Sequence, residues 1–224
     1  MNSSSWRALV AESIGVAGIV AVVTGASFMA SNLSAEPAAD LLINAVATGG
    51  ALFVLISIFM SISGSHFNPV VTLVMLLQKS ISATLALGYL AAQLVGAALG
   101  AVLANLMFGN PAIELATKIR EGSNLYLGET VATFGLVLLI LLLVSQQNQK
   151  LIPAAVSLWI VSAYFFTSST SFANPAVAFG RSLSETGSSI ALVSVPGFIA
   201  GQLLGGLLAL IVFRILQPTQ KAKP

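Results

Sequence analysis

The sequence contains no cysteine, so it holds no disulfide, iron–sulfur cluster or zinc-thiolate site. Charge is nearly as scarce. Charged residues make up 7% of the 224, against about 25% in a soluble domain. Such a chain cannot cover a water-facing surface, which leaves a polytopic membrane protein. One histidine and seven acidic residues supply a buried metal site poorly, and neither metal nor cofactor is expected. The few basic residues are scattered, so the net charge of +2 is no footprint for nucleic acid. A small-residue cleavage signal after the first apolar run is also lacking, so that run reads as a retained span.

What the chain has in abundance is apolar sequence, 57% of it. Six runs meet the requirement of about 20 apolar residues per membrane-crossing helix: 8–30, 41–63, 83–106, 127–145, 150–168 and 194–216. Two shorter helical stretches remain, 69–78 and 175–184, each long enough to cross about half a bilayer. Each directly follows an Asn-Pro, Asn68-Pro69 and Asn174-Pro175. Asparagine is a good N-cap, and proline is favoured at the first helical position because its missing N–H has no partner there anyway. Each pair therefore starts a helix with the positive dipole end at the asparagine. Non-helical backbone at membrane depth is tolerated only where protein or a water-filled cavity covers it. Two half-spans facing each other satisfy that condition. The expected fold is an all-α membrane protein, six transmembrane helices plus two re-entrant half-helices, in one domain over 1–224.

The halves, about 1–108 and 125–216, repeat. Glu12 and Gly18 match Glu129 and Gly135. Tyr89, Gln93 and Gly96 match Phe198, Gln202 and Gly205, and the two asparagines stand 106 residues apart between these landmarks. Three spans per half make the second half enter the membrane inverted, and inverted repeats with interrupted helices point to a site near the midplane. Gly96, Gly100, Gly201, Gly205 and Gly206 read as helix-packing positions. Six of the nine Lys and Arg (Arg7, Lys79, Lys150, Arg214, Lys221, Lys223) fall on one side, which places both termini in the cytoplasm. The polar tail Gln217–Pro224 is expected to be disordered.

The stretch Ser63-Gly64-Ser65-His66-Phe67-Asn68-Pro69-Val70 resembles the first signature of the aquaporin, or major intrinsic protein, family, and Asn174-Pro175-Ala176 the second. The repeat landmarks agree, so the resemblance covers nearly the whole chain. It implies a passive channel, assembled as a homotetramer with one pore per subunit in the cell inner (plasma) membrane. Asn68 and Asn174 would offer side-chain N–H groups at the pore centre. Backbone carbonyls of Gly64, Ser65 and His66, and of Ser169, Thr170 and Ser171, could form an acceptor ladder. By the same resemblance Glu12 and Glu129 hold the two loops open; a proton relay is the alternative role for these intramembrane carboxylates.

The sequence also departs from the family. Most members carry arginine three residues after the second asparagine, where this chain has Val177. Counting from the asparagines carries the family's outer filter onto Thr48, Ser162, Ser171 and Val177. Those side chains are short, three are hydroxylated, and no fixed positive charge is expected among them; Arg181, one helical turn beyond Val177, need not face the pore. A wide filter of this kind suits small neutral solutes: glycerol and other polyols, urea, water, and metalloid acids such as arsenite and antimonite. The arginine-free motif resembles a bacterial branch associated with arsenite movement. A proton- or ion-coupled secondary transporter is the competing class. An intramembrane hydrolase would need a nucleophile facing a base, and Ser65-His66, adjacent in one loop, are poorly arranged for that.

Overall fold

The computed structural model describes residues 3–34 and 36–217. Those residues contain helices and no strand. Six long helices are α1 (Ser3–Asn32), α2 (Pro37–Ser63), α4 (Ala83–Met107), α5 (Ser123–Ser145), α6 (Ile152–Phe166) and α8 (Val195–Leu216); two short ones are α3 (Pro69–Leu77) and α7 (Pro175–Gly180). All six spans are present, with a 3₁₀ turn Gln149–Leu151 leading into α6. Among the sequence landmarks, Lys221, Lys223 and the tail from 218 lie outside the described residues.

The two half-helices differ from expectation in length. α3 has nine residues, close to the ten expected, but α7 has six before a 3₁₀ turn over Arg181–Leu183. Both start as their sequence dictates. Asn68 and Asn174 have extended backbone, and each side-chain Oδ1 accepts from the second residue on, Val70 N at 2.9 Å and Ala176 N at 3.0 Å.

Large apolar side chains such as Leu87 and Ile215, 68% and 75% exposed, cover the outside. In water that would be a defect; against lipid it is the required surface. Inside, α1 packs on α4 and α5 packs on α8. A Cβ at Gly96 or Gly100 would lie 2.2 or 2.3 Å from a carbonyl oxygen of α1, and one at Gly201 or Gly205 would lie 2.6 or 2.4 Å from a carbonyl oxygen of α5. Glycine four residues apart thus sets both crossings, because a lipid-embedded bundle gains its stability from close backbone approach. The tip of α7 (Ala176, Val177) joins the central cluster around Val16, Val20, Ala97 and Leu136, while α3 packs with α5 and α8 through Val70, Val74, Val137 and Phe213.

Candidate pore

Each half-helix is fed by a loop in left-handed backbone. Gly64, Ser65 and Phe67 have φ of 82°, 50° and 49°; Thr170, Ser171 and Ala173 have 62°, 51° and 47°. The same pattern recurs 106 residues on, the spacing of the two asparagines. For non-glycine residues this conformation costs about 1 kcal/mol or more each and persists only where the surroundings impose it. A buried carboxylate imposes it in both loops. Glu12 Oε1 accepts from His66 N (2.9 Å) and the Ser63 hydroxyl (2.7 Å), and Oε2 from Phe67 N (2.7 Å) and Gln93 Nε2 (2.8 Å). Glu129 accepts from Phe172 N (2.9 Å), Ala173 N (2.8 Å), Gln202 Nε2 (2.5 Å) and the Ser169 hydroxyl. Both carboxylates are fully buried, and such a group is tolerated in a membrane only when saturated with donors.

The asparagines tie the loops together. Asn68 Nδ2 donates to Ala173 O at 2.7 Å, and Asn174 Nδ2 donates to Phe67 O, also at 2.7 Å. An amide nitrogen carries two hydrogens, so each asparagine keeps one beyond its cross-tie. Both residues line a cavity of about 290 Å³, roomy enough for a solute larger than water. The cavity runs from Met75, Val144 and Gln149 at one end, past the asparagines, to Thr48, Tyr164, Val177 and Arg181 at the other. Its walls between are mostly aliphatic.

Of the expected carbonyl positions, Gly64, Ser65, His66 and Ser171 line this cavity; Ser169 and Thr170 do not, and Phe172 and Ala173 follow Ser171 instead. The lining of the second loop therefore lies nearer Asn174, and the Ser169 hydroxyl is turned to Glu129 and Ser171 N, as that of Ser63 is to Glu12 and Ser65 N. Thr72 Oγ1 accepts from Gln93 Nε2 at 3.0 Å and lies 3.1 Å from His66 Nδ1, which ties the His66 ring to the foot of α3.

Of the four expected filter positions, Thr48, Ser171 and Val177 line the cavity but Ser162 does not. Ser162 is exposed on the far side of α6, and its hydroxyl donates to Leu158 O of its own helix at 2.8 Å. Tyr164 stands at the cavity instead, its hydroxyl 3.1 Å from Thr48 Oγ1 and 3.4 Å from Asn44 Oδ1. Two residues along a helix is about 200°, the opposite face, so the count from Asn174 across an irregular loop picked the wrong side. Arg181 also lines the cavity, contrary to the expectation of a filter without positive charge. The i, i+4 spacing from Val177 was the sequence signal for it. Outside the membrane segments, Lys118 is drawn below its ordinary value by burial first and then by Arg120 and Arg181 nearby, with Asp40 and Glu185 acting in the opposite direction.

Two broken helices entering a six-span bundle from opposite sides, and meeting at a cavity that joins them, define a membrane channel. The family model described as "Major intrinsic protein" matches residues 1–171. The chain is 43% identical over 215 residues to aquaglyceroporin AqpS of Rhizobium meliloti (strain 1021), covering 96% of this chain and 92% of that one. It is 30% identical to a probable aquaporin, TIP2-2, of Oryza sativa subsp. japonica, covering 95% and 88%. The X-ray structure of the aquaglyceroporin from Plasmodium falciparum shares the fold, with a TM-score of 0.77 at 17% identity over 95% of this chain and 96% of that one. The chain belongs to the major intrinsic protein family; it is a multi-pass membrane channel and not an enzyme.

Proposed function

We propose that this protein conducts small neutral solutes passively, glycerol and water first, with urea and metalloid acids such as arsenite and antimonite within its range. The observation that carries the reading is the cavity past Asn68 and Asn174, mostly aliphatic along its walls, with polar groups at its centre (Ser65, His66, Asn68, Asn174) and at its two ends (Gln149 at one, Thr48, Tyr164 and Arg181 at the other). Thr48, Tyr164, Ser171 and Val177 form the outer constriction in this reading. One aromatic, two small hydroxyl residues and a valine leave width and hydrogen bonds for a polyol. The name of the relative from Rhizobium meliloti, an aquaglyceroporin, supports polyol passage. Asn68 and Asn174 meet the solute with their spare amide hydrogens, and the N-terminal ends of α3 and α7 repel cations there. Glu12 and Glu129 act as loop scaffolds, since every donor around them is committed to them; that leaves a coupled transporter no carboxylate to load. Conduction proceeds through a single domain built from the halves 1–108 and 125–216. The assembly is a homotetramer in the inner (plasma) membrane, with both termini cytoplasmic.

A proteoliposome panel of water, glycerol, urea and arsenite tests this. Glycerol and arsenite fluxes well above empty vesicles are expected, with no accumulation beyond equilibrium under a proton gradient. Accumulation would overturn the passive reading. Val177→Arg is expected to cut glycerol flux about tenfold, a barrier change of about 1.4 kcal/mol, while water flow falls less. Unchanged glycerol and arsenite flux would remove Val177 from the constriction.

A further inference from the structure

Arg181 is 2% exposed, yet every partner it has among the described residues is neutral. Nε donates to Ser188 O at 2.8 Å, Nη2 donates to the same carbonyl, and the guanidinium carbon stands 3.5 Å over the Phe172 ring. Among the described residues no ion pair cancels its charge, and none accepts from Nη1. A buried cation of this kind is costly unless something else solvates it. Here that something is the cavity, which Arg181 lines. The side chain is also fixed in place: a planar fork clamped on one carbonyl and stacked on an aromatic face has little freedom. Arg120 lies over the same ring at 5.3 Å, with Nε held by Ser189 O at 2.7 Å.

The position follows from the helix. Val177 and Arg181 are four residues apart, on one face, and both line the cavity. Val71 and Met75 stand in the equivalent places of the first half and line the cavity at the other end. One end of the pore is therefore finished by a thioether and the other by a guanidinium.

Resting on the channel reading above, we propose that Arg181, one turn beyond Val177, is a specificity-determining residue of the outer constriction. Its charge excludes cations and its free Nη1 donates a hydrogen bond to the hydroxyl or carbonyl oxygen of a passing solute. The valine at 177 does not leave the filter uncharged; it clears the path to a cation set one turn further out.

The test uses the purified full chain in proteoliposomes, reading sodium and potassium leak alongside glycerol and urea flux, each normalised to folded protein. Arg181→Gln is expected to raise cation leak about tenfold, the effect of removing one poorly screened charge at the mouth, while glycerol still passes. Val177→Arg added to Arg181→Gln is expected to restore exclusion. Arg181→Lys covers the case in which glutamine does not assemble: exclusion is retained, and the glycerol-to-urea ratio shifts several-fold because a planar fork has become a point donor. Arg181→Gln with wild-type leak and an unchanged glycerol-to-urea ratio overturns the proposal, as does Arg181→Lys with an unchanged ratio. Neither result touches passive conduction, which fails if the unmodified protein carries no solute or accumulates it beyond equilibrium under a proton gradient.

Discussion

The two re-entrant loops share a scaffold and differ at their mouths. In each, a buried glutamate accepts two successive backbone N–H groups, a serine hydroxyl and a glutamine amide: Glu12 with Ser63 and Gln93, Glu129 with Ser169 and Gln202. Beyond that frame the halves diverge. His66 in the first loop corresponds to Phe172 in the second, 106 residues on, and Met75 at one end of the cavity answers Arg181 at the other. The frame has little room to vary, because a carboxylate in a membrane needs all its donors and left-handed backbone needs the carboxylate. The mouths carry no such constraint, and there the two ends take different chemistry.

Breaking the frame should produce the largest effect, and the same one in both halves. Glu12→Gln and Glu129→Gln each turn an acceptor oxygen into a donor facing other donors. Each is expected to cost about 3 kcal/mol or more, as removal of one partner from a buried charged network does. Thermal unfolding in detergent should fall by a similar amount for both, with flux lost in proportion to folded protein. A variant that folds normally and loses only pH-dependent flux would instead make that glutamate a proton carrier.

How far the sequence could be read follows the same division. The spans and the start of each half-helix were legible, because they depend on local composition and on Asn-Pro capping. Glu12, Glu129, Gln93 and Gln202 were legible too, as polar residues recurring at matched places in an apolar chain. Ser162 and Arg181 were misjudged because facing direction depends on helix phase. Phase does not carry across the irregular loop between Asn174 and Ser162, whereas the i, i+4 step from Val177 to Arg181 runs within one helical turn and was open to reading. The 106-residue offset of the asparagines would have moved the second set of carbonyl positions one residue on, from Ser169, Thr170 and Ser171 to Thr170, Ser171 and Phe172, of which Ser171 and Phe172 line the cavity.

At the centre the two halves meet as equals, and the next effect should again be symmetric. Asn68→Asp and Asn174→Asp each replace a cross-tie donor with a carboxylate oxygen facing a carbonyl, at sites where the tie is 2.7 Å in both directions. Each is expected to destabilise by about 1–3 kcal/mol and to increase cation leak through the surviving protein. Thermal denaturation and potassium efflux measure the two consequences separately. Normal stability in one variant would show that its half does not need the tie, and unchanged leak in both would take the asparagines out of the conducting path.

The smallest effect is expected at the asymmetric mouth. Tyr164→Phe removes a hydroxyl placed 3.1 Å from Thr48 Oγ1 and 3.4 Å from Asn44 Oδ1 without altering the ring that lines the cavity. One hydrogen bond is worth about 1 kcal/mol, a factor of about five, so the glycerol-to-water flux ratio should fall by no more than that while the fold is kept. Thr48→Val removes the other half of the same pair and should give a similar shift. The double variant should then fall well short of the product of the two, because the hydroxyls act through one contact. Full additivity would mean that each hydroxyl meets the solute on its own, and the outer constriction would then present two independent polar groups beside Arg181 rather than one paired set.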